Sequence, residues 1–185
     1  MSEFRLGIDT AGAHLALALT DASGALITGR APRVERQHAS LFIPELEQLL
    51  HDADAGRDQI ASIHVGIGPG SYTGLRVGLA AAQGLATAWS VPLHGGCSLA
   101  TLAWGTLLEG ETGLAWLDAR RGNVYGAVFR KTASGLEILD APAKRSRDEM
   151  MQVWPEVRWL DDAVPDASYL TRETTLIDSL EPRYW

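Results

Sequence analysis

The sequence predicts an α/β fold of two related halves, and two observations lead to this expectation. Over the first hundred residues, strand-like apolar segments alternate with segments of helical period, which is typical of a layered fold with a mixed sheet. In addition, the segment that ends at Asp9 resembles a second segment that ends at Asp118. The chain has 185 residues, of which 46% are hydrophobic, so it can bury a core in one domain or in two small ones.

The first elements read as a three-stranded meander followed by a helix. The apolar run FRLGIDT precedes HLALALTD and ALITGRA, and the intervening DASG carries turn residues. The next segment, HASLFIPELEQLL, places apolar residues along one helical stripe. Because proline is tolerated only near the start of a helix, Pro44 predicts that this helix begins near Ser40.

A glycine-rich loop separates the next strand from the next helix. IASIHVGIGPG reads as a strand that runs into the loop, and SYTGLRVGLAAAQGLATAW reads as a helix with Ser71 or Thr73 as N-cap. VPLHGGC then predicts a short strand, and SLATLAWGTLLE predicts a further helix. We therefore expect a first domain over residues 1–104, ordered βββαβαβ plus a linking helix.

The second half opens with another strand-rich stretch, GLAWLDARRGNVYGAVFRKTASGLEILDAP. SRDEMMQVW predicts a helix with Ser146 as N-cap and Glu149 completing a capping box, and VRWLDD predicts a strand. Residues 163–185 show no clear period. We expect a smaller second domain over residues 105–185.

The repeat indicates a duplicated unit, although so short a match also arises by chance. Aligning Asp9 with Asp118 places GIDTAGAHLALAL over WLDARRGNVYGAVF, with matching apolar positions. Two such aspartates face each other across the cleft of the actin-like (ASKHA, ribonuclease H-like) ATPase fold, where glycines in both turns admit phosphate. Here both glycine patterns are degraded, so Asp9, Thr10 and Asp118 form at most a vestigial phosphate site or merely cap their loops.

The glycine-rich loop does not match the standard phosphate-binding motifs either. No lysine occurs before residue 131, which excludes the P-loop pattern, and Ser71 or Thr73 stands where a dinucleotide fingerprint needs its third glycine. On a helical wheel the following helix has two adjoining apolar faces, one for its own sheet and one for a partner. The predicted partner interface comprises Leu41, Tyr72, Leu75, Arg76, Leu79, Ala82, Gln83 and Ala86.

Composition and missing motifs argue against several classes of function. The net charge of −7 disfavours direct binding of nucleic acid, and the single cysteine, Cys97, fits a reducing cytosol. No two of the five histidines are four residues apart, and no G-x-S-x-G motif is present. We expect a cytoplasmic protein with no membrane span, no leader peptide, no metal, no cofactor and no catalytic residue of its own.

The segment GIGPGSYTGLRVGLAAAQGLA, with LGIDTA, HASLFIPELEQLL and LDARRGNVYGAVF, closely resembles the bacterial TsaB (YeaZ) family of tRNA threonylcarbamoyladenosine biosynthesis proteins. The resemblance implies an actin-like fold of two domains and a role in modifying adenosine 37 of tRNA. It implies a non-catalytic subunit that pairs with the catalytic relative TsaD, works with TsaE, contacts tRNA only through the complex and dimerises when alone. Two alternatives stay open: a nucleotide-dependent ATPase or kinase-like enzyme of the same fold, and a peptidase of family M22.

Overall fold

In the described part of the chain, two mixed β-sheets and four helices make up the fold. The computed structural model describes residues 3–34, 37–172 and 180–183. The strands are β1 (Phe4–Asp9), β2 (Ala16–Thr20), β3 (Leu26–Arg30), β4 (Ile60–Gly66), β5 (Leu93–Gly96), β6 (Thr112–Asp118), β7 (Asn123–Thr132), β8 (Gly135–Ser146) and β9 (Arg158–Trp159). The helices are α1 (His38–Asp52), α2 (Tyr72–Trp89), α3 (Ser98–Thr106) and α4 (Arg147–Val153), with 3₁₀ turns at Arg57–Gln59 and Ala167–Thr171.

The two sheets share one topology. The first has the order β3-β2-β1-β4-β5 and the second has the order β8-β7-β6-β9. In each sheet the first three strands form an antiparallel meander, and the next strand pairs in parallel with the first strand of that meander. This confirms the predicted fold class, including the two related halves that each open in a meander.

The helix starts show how well local signals work. Ser71 caps α2, since its hydroxyl accepts a hydrogen bond from the Gly74 N–H at 3.3 Å, and Ser146 caps α4 through the Glu149 N–H at 3.1 Å. Thr73 is not a cap but lies in the first turn of α2. Helix α1 begins at His38, two residues before the predicted start, which places Pro44 inside the helix on its exposed side.

Each sheet has its own apolar core. Helices α1 and α2 cover one face of the first sheet, where Leu46 and Leu49 pack against Leu6 and Ile8. Helix α3, which the sequence suggested as a linking helix of residues 1–104, packs against the second sheet, and its Leu99 contributes to that core. The boundary at 104/105 stays a prediction.

The other face of the first sheet is covered by a segment from far along the chain. This C-terminal segment, Ala167–Thr171, packs Ala167 and Leu170 on the alanines of β2. The Arg5 guanidinium donates to the Thr171 carbonyl at 3.0 Å, and the Thr20 hydroxyl donates to the Thr171 hydroxyl at 2.8 Å. The second half of the chain therefore supplies a layer of the first sheet. Within the described residues, no helix is both long and apolar enough to cross a bilayer.

Candidate functional site: a cleft and a helix face

A cleft of about 940 Å³ lies where β1 and β6 end. Asp9 and Asp118 both line it, as the sequence repeat predicted. Thr10 does not, and it is fully buried. The cleft therefore brings together two of the three residues of the predicted vestigial phosphate site and excludes the third.

The Asp9 carboxylate is buried, and both of its oxygens are occupied. Only 3% of the residue is exposed. One oxygen accepts the Ala11 N–H at 2.8 Å, and the other accepts the Thr101 hydroxyl of α3 at 3.1 Å, beside Ser98. Burial raises the pKa of Asp9 to about 6, because desolvation outweighs the hydrogen bonds from Ala11, Thr101 and Ser98. Asp9 thus links the first turn of α3 to the end of β1 by a hydrogen bond.

Asp118 makes the same local turn in a different environment. It accepts the Arg120 N–H at 2.8 Å, and its other oxygen lies 3.5 Å from the Arg120 guanidinium. Its side chain is 59% exposed. Arg120 and Arg121 stand in the left-handed region, with φ of 68° and 54°, before Gly122. This turn presents two arginines where a phosphate-binding turn would present glycines.

The glycine-rich loop is shaped by the close approach of the β1 end. A Cβ on Gly74 would lie 2.1 Å from the Thr10 carbonyl oxygen, and one on Gly78 would lie 2.2 Å from the Thr10 hydroxyl. That hydroxyl donates to the Gly74 carbonyl at 2.8 Å. Gly66 and Gly70 are also closely packed, since a Cβ added to either would lie 2.7 Å from an atom of Asp9 or Ala11, respectively. Glycines spaced four residues apart therefore allow residues 9–11 to pack closely against the loop and α2. This packing role accounts for a glycine-rich loop that has no phosphate-binding motif.

The helix face predicted as an interface divides into a buried part and a surface part. Leu75, Ala82 and Ala86 are buried by the chain's own core. They correct the prediction, because the first sheet meets α2 along the line of Gly74, Gly78 and these side chains. Tyr72, Arg76 and Gln83 are exposed, and Leu41 and Leu79 are partly buried at the edge of the first core.

That surface part is nearly uncharged on α2. Ile43 of α1 is 50% exposed and Tyr72 is 57% exposed. Arg76 is the one charged residue of α2, and its guanidinium donates to the Tyr72 hydroxyl at 2.6 Å. We call the set Ile43, Tyr72, Arg76, Leu79 and Gln83 the α1/α2 face. Leu41 is not part of it, because it lies on the opposite flank of α1 from Ile43, on the side where Glu45 and Asp52 pair with Arg30. Ile43 was not in the predicted set, because the helical stripe assigned it to the core of α1.

Two histidines contribute to the cleft, although no spacing rule pointed to them. His38 begins α1, where its Nε2 lies 3.2 Å from the carbonyl oxygen of His14, and both residues line the cleft with Arg33. Burial, then Arg33 and His38, lowers the pKa of His14. Among the described residues, no three His, Cys, Asp or Glu side chains are arranged to hold a metal ion.

His64 lies away from the cleft, on the sheet face that the C-terminal segment covers. Its Nε2 is 2.8 Å from the Ser62 hydroxyl oxygen, and its ring centroid is 4.9 Å from that of His94. Burial, followed by the effects of His94 and Arg5, lowers the pKa of His64 to about 3. This histidine is therefore neutral at physiological pH.

The shared strand order and the cleft between the halves define an α/β protein of the actin-like class. A family model described as "TsaD: tRNA N6-adenosine threonylcarbamoyltransferase" matches residues 28–160. The chain belongs to this family, and within it to the TsaB (YeaZ) proteins.

The relatives come from distant bacteria. The tRNA threonylcarbamoyladenosine biosynthesis protein TsaB of Escherichia coli is 33% identical over 71% of this chain, and that of Bacillus subtilis is 34% identical over 68%. The chain spans 57% and 54% of the lengths of these two relatives. The solved structure of YeaZ from Pseudomonas aeruginosa matches 99% of this chain and 100% of its own, with a TM-score of 0.82 at 23% identity, which shows the fold.

Proposed function

We propose that this chain is a non-catalytic partner subunit in the synthesis of threonylcarbamoyladenosine at position 37 of tRNA, acting in the cytoplasm with TsaD and TsaE. The names of its relatives support the pathway. The α1/α2 face is the single observation that supports the role of a partner subunit.

The α1/α2 face is well suited to a second pair of helices. Leu79 is only partly covered by the chain itself, and Ile43 and Tyr72 are exposed apolar residues of the two helices. Farther along α2, Gly84 is exposed, and nothing would lie within 4 Å of a Cβ added there. A mid-helix glycine costs about 1 kcal/mol relative to alanine. Within the described chain, no contact at Gly84 offsets that cost, whereas the missing side chain would allow a partner helix to approach closely.

The proposed occupant is TsaD, because the family model that matches this chain is the TsaD model. A related chain carries a related pair of helices, so the two faces can meet across an approximate two-fold axis as a four-helix contact. In the absence of TsaD, a second copy of this chain meets the same geometric requirement. We therefore propose a homodimer through the same face as the resting alternative, and contact with tRNA only through the complex.

The residues of the cleft support a subunit without catalysis of its own. Both Asp9 oxygens already accept hydrogen bonds from the protein, Thr10 is buried under α2, and the Asp118 turn carries arginines. These contacts support a packing role for Asp9 and Thr10 in preference to a role in holding a nucleotide phosphate. The ATPase or kinase-like alternative and the peptidase alternative therefore have less support than the partner subunit.

The experiment that tests the proposal is co-purification of the tagged full chain with the TsaD of its own genome, together with nucleoside analysis of tRNA from cells depleted of the chain. We expect a stable complex and loss of threonylcarbamoyladenosine, restored by the wild-type gene. A chain that fails to bind TsaD, or whose depletion leaves the modification unchanged, contradicts the proposal. Robust ATP or peptide hydrolysis by the isolated chain, abolished by Asp9→Asn, would favour an enzyme instead.

A further inference from the structure

A buried histidine lies on the sheet face that the C-terminal segment covers. His64 of β4 is 3% exposed, and its ring centroid lies 4.9 Å from that of His94 on β5. Gly7 pairs with His64 on the neighbouring strand β1, and a Cβ added to Gly7 would collide with the Ala167 carbonyl. The backbone of the segment therefore lies directly on the sheet and leaves His64 little access to water.

His64 lacks the partners that a charged imidazole requires. A protonated ring has two N–H donors. The Nε2 of His64 lies 2.8 Å from the Ser62 hydroxyl oxygen, whereas its Nδ1 is buried without a hydrogen bond among the described residues. In the described chain, the charged or titratable groups that act on the ring are His94 of β5 and Arg5 of β1, and both disfavour a second positive charge. The Leu170 backbone favours the charged ring, and its effect is the smallest of these.

The C-terminal segment supplies no charge that could balance a protonated His64. Of its five residues only Tyr169 has an ionisable side chain, and it packs in the core of the second sheet, where burial raises the pKa of its hydroxyl. The preceding residue, Asp166, directs its carboxylate to the Ser168 N–H at 2.9 Å and donates its own N–H to the Thr101 carbonyl of α3 at 3.0 Å. A charge on His64 therefore acts at a contact that joins the two halves.

We propose that acid releases the C-terminal segment from the first sheet, because the segment cannot stay in place when the His64 ring takes up a proton. Once the segment has moved away, both ring nitrogens can reach water, which solvates the charged form. Release uncovers Ala16 and Ala18 of β2 and removes one of the connections between the halves. It involves neither the cleft nor the α1/α2 face, so it does not depend on the proposed tRNA function.

Acid should weaken this contact more than it weakens the whole fold. Burial lowers the pKa of His64 to about 3, whereas a released His64 titrates near its ordinary 6.5. From pH 7 to pH 5 the proton therefore favours release by about 25-fold. Unfolding of the whole chain also exposes Asp9, whose pKa burial raises to about 6, and proton uptake by Asp9 favours the folded chain by about tenfold over the same range. Release of the segment leaves Asp9 in its contact with Thr101, so this compensation is absent.

Hydrogen exchange of the full chain, with protection factors corrected for the intrinsic exchange rate at each pH, measures the release. We expect the amides of residues 168–172 to lose about 25-fold in protection from pH 7 to pH 5, and those of β6 and β7 to lose less. His64→Gln should abolish the extra loss, because a glutamine can contact the Ser62 hydroxyl but takes up no proton. His51→Gln is the matched control, since the side chain of His51 on α1 is 83% exposed, and it should behave as wild type.

Three outcomes would overturn the proposal. Protection of residues 168–172 that does not change with pH excludes release by acid. Protection that falls in parallel with that of β6 and β7 excludes a selective release. An equal loss in His64→Gln and in wild type assigns the release to another group. Should His64→Gln fail to fold, His64→Leu provides a second side chain that takes up no proton, and the wild-type comparison of residues 168–172 with β6 and β7 is decisive without either variant.

Discussion

Asp9 and Asp118 lie at equivalent strand ends, and each accepts a hydrogen bond from the backbone N–H two residues later, at 2.8 Å. The turns have diverged in what surrounds them, because Asp9 is buried against α3 whereas Asp118 is exposed beside Arg120. Asp9 therefore connects the first sheet to α3 through its hydrogen bond with Thr101, whereas Asp118 makes its hydrogen bond within a surface loop. The repeat seen in the sequence is thus one of strand position and of a hydrogen bond from Asp to the backbone, and the two copies have different surroundings.

Replacing Asp9 by Asn should stabilise the isolated chain at neutral pH. The folded pKa of Asp9 lies above its ordinary value, so the folded state binds the extra proton between about pH 4 and pH 6. Its stabilising effect is present below pH 4 and is lost as the pH rises through 6. Because one pKa unit corresponds to about 1.4 kcal/mol, the advantage of the Asn variant over wild type should grow by about 2–3 kcal/mol from pH 4 to pH 7. Urea denaturation at several pH values measures this difference.

The Asn variant must be compared with wild type at each pH, because His64 changes the free energy of unfolding with pH in the opposite direction from Asp9. Its folded pKa lies below its ordinary value, so His64 gives stability at neutral pH that is lost as the pH falls below about 6.5. The slope of the wild-type curve contains both effects, and only the difference curve isolates Asp9. An Asn variant that is less stable than wild type at pH 7 would show that the ionised carboxylate is a net stabiliser of the α3 contact.

Two glycines of α2 should respond oppositely to the same substitution. Gly74→Ala places a Cβ against the Thr10 carbonyl, which belongs to the backbone and cannot rotate away, so we expect a loss of about 1–3 kcal/mol of stability. Gly84→Ala meets nothing within 4 Å and should gain about 1 kcal/mol from helix propensity. Thermal melts of the two variants measure the contrast, and equal effects would mean that the Thr10 contact is not tight.

Leu79→Glu should separate assembly from folding. Leu79 is partly buried at the edge of the first core, so a glutamate there can reach water in the monomer but not in a four-helix contact. We expect self-association and TsaD binding to weaken by about tenfold or more, since an unpaired charge is costly to bury. Analytical ultracentrifugation measures self-association, and titration calorimetry measures TsaD binding. Ile138→Glu, which changes an apolar residue of β8 that is 60% exposed, is the control for adding a charge at the surface; similar effects of both variants would count against the α1/α2 face.

Leu170→Ala should loosen the first sheet, although residue 170 is distant from it in sequence. Leu170 is 1% exposed and packs with Ala16 and Ala18, so its truncation should cost about 2–4 kcal/mol. The test is hydrogen exchange of amides in β1 and β2. Faster exchange there than in β6 and β7 supports the role of the C-terminal segment, whereas uniform acceleration would indicate general destabilisation only.

Local chemistry in the sequence predicted most of the elements and the two strand ends. Alternating apolar residues, turn residues and the caps Ser71 and Ser146 act over a few positions, so they can be recognised without a fold. A helical wheel gives angles around α2 but not the direction of the sheet. For that reason the wheel assigned Leu75 to a partner, while the structure buries it.

Contacts between distant segments carried no such signal. Thr10 packs against Gly74, which is 64 residues away in the sequence. The sequence therefore shows the glycines, but it does not show which residue packs against them. Arg33 and His14 come together with Leu117 in the cleft only in the folded chain, and no motif links them. Residues 167–171 form a 3₁₀ turn, which has neither the period of a helix nor that of a strand.

The position of the C-terminal segment also bears on how the protein is made. Proteins are synthesised from the N-terminus, and domains generally fold as units in that order. Here β1 and β2 emerge early, yet the alanine face of β2 stays uncovered until residues 167–171 have been translated. Closing so long a loop is slow, and uncovered sheet faces invite aggregation in the meantime. During translation, the half of the protein that looks like an independent domain is thus the half most in need of chaperone protection.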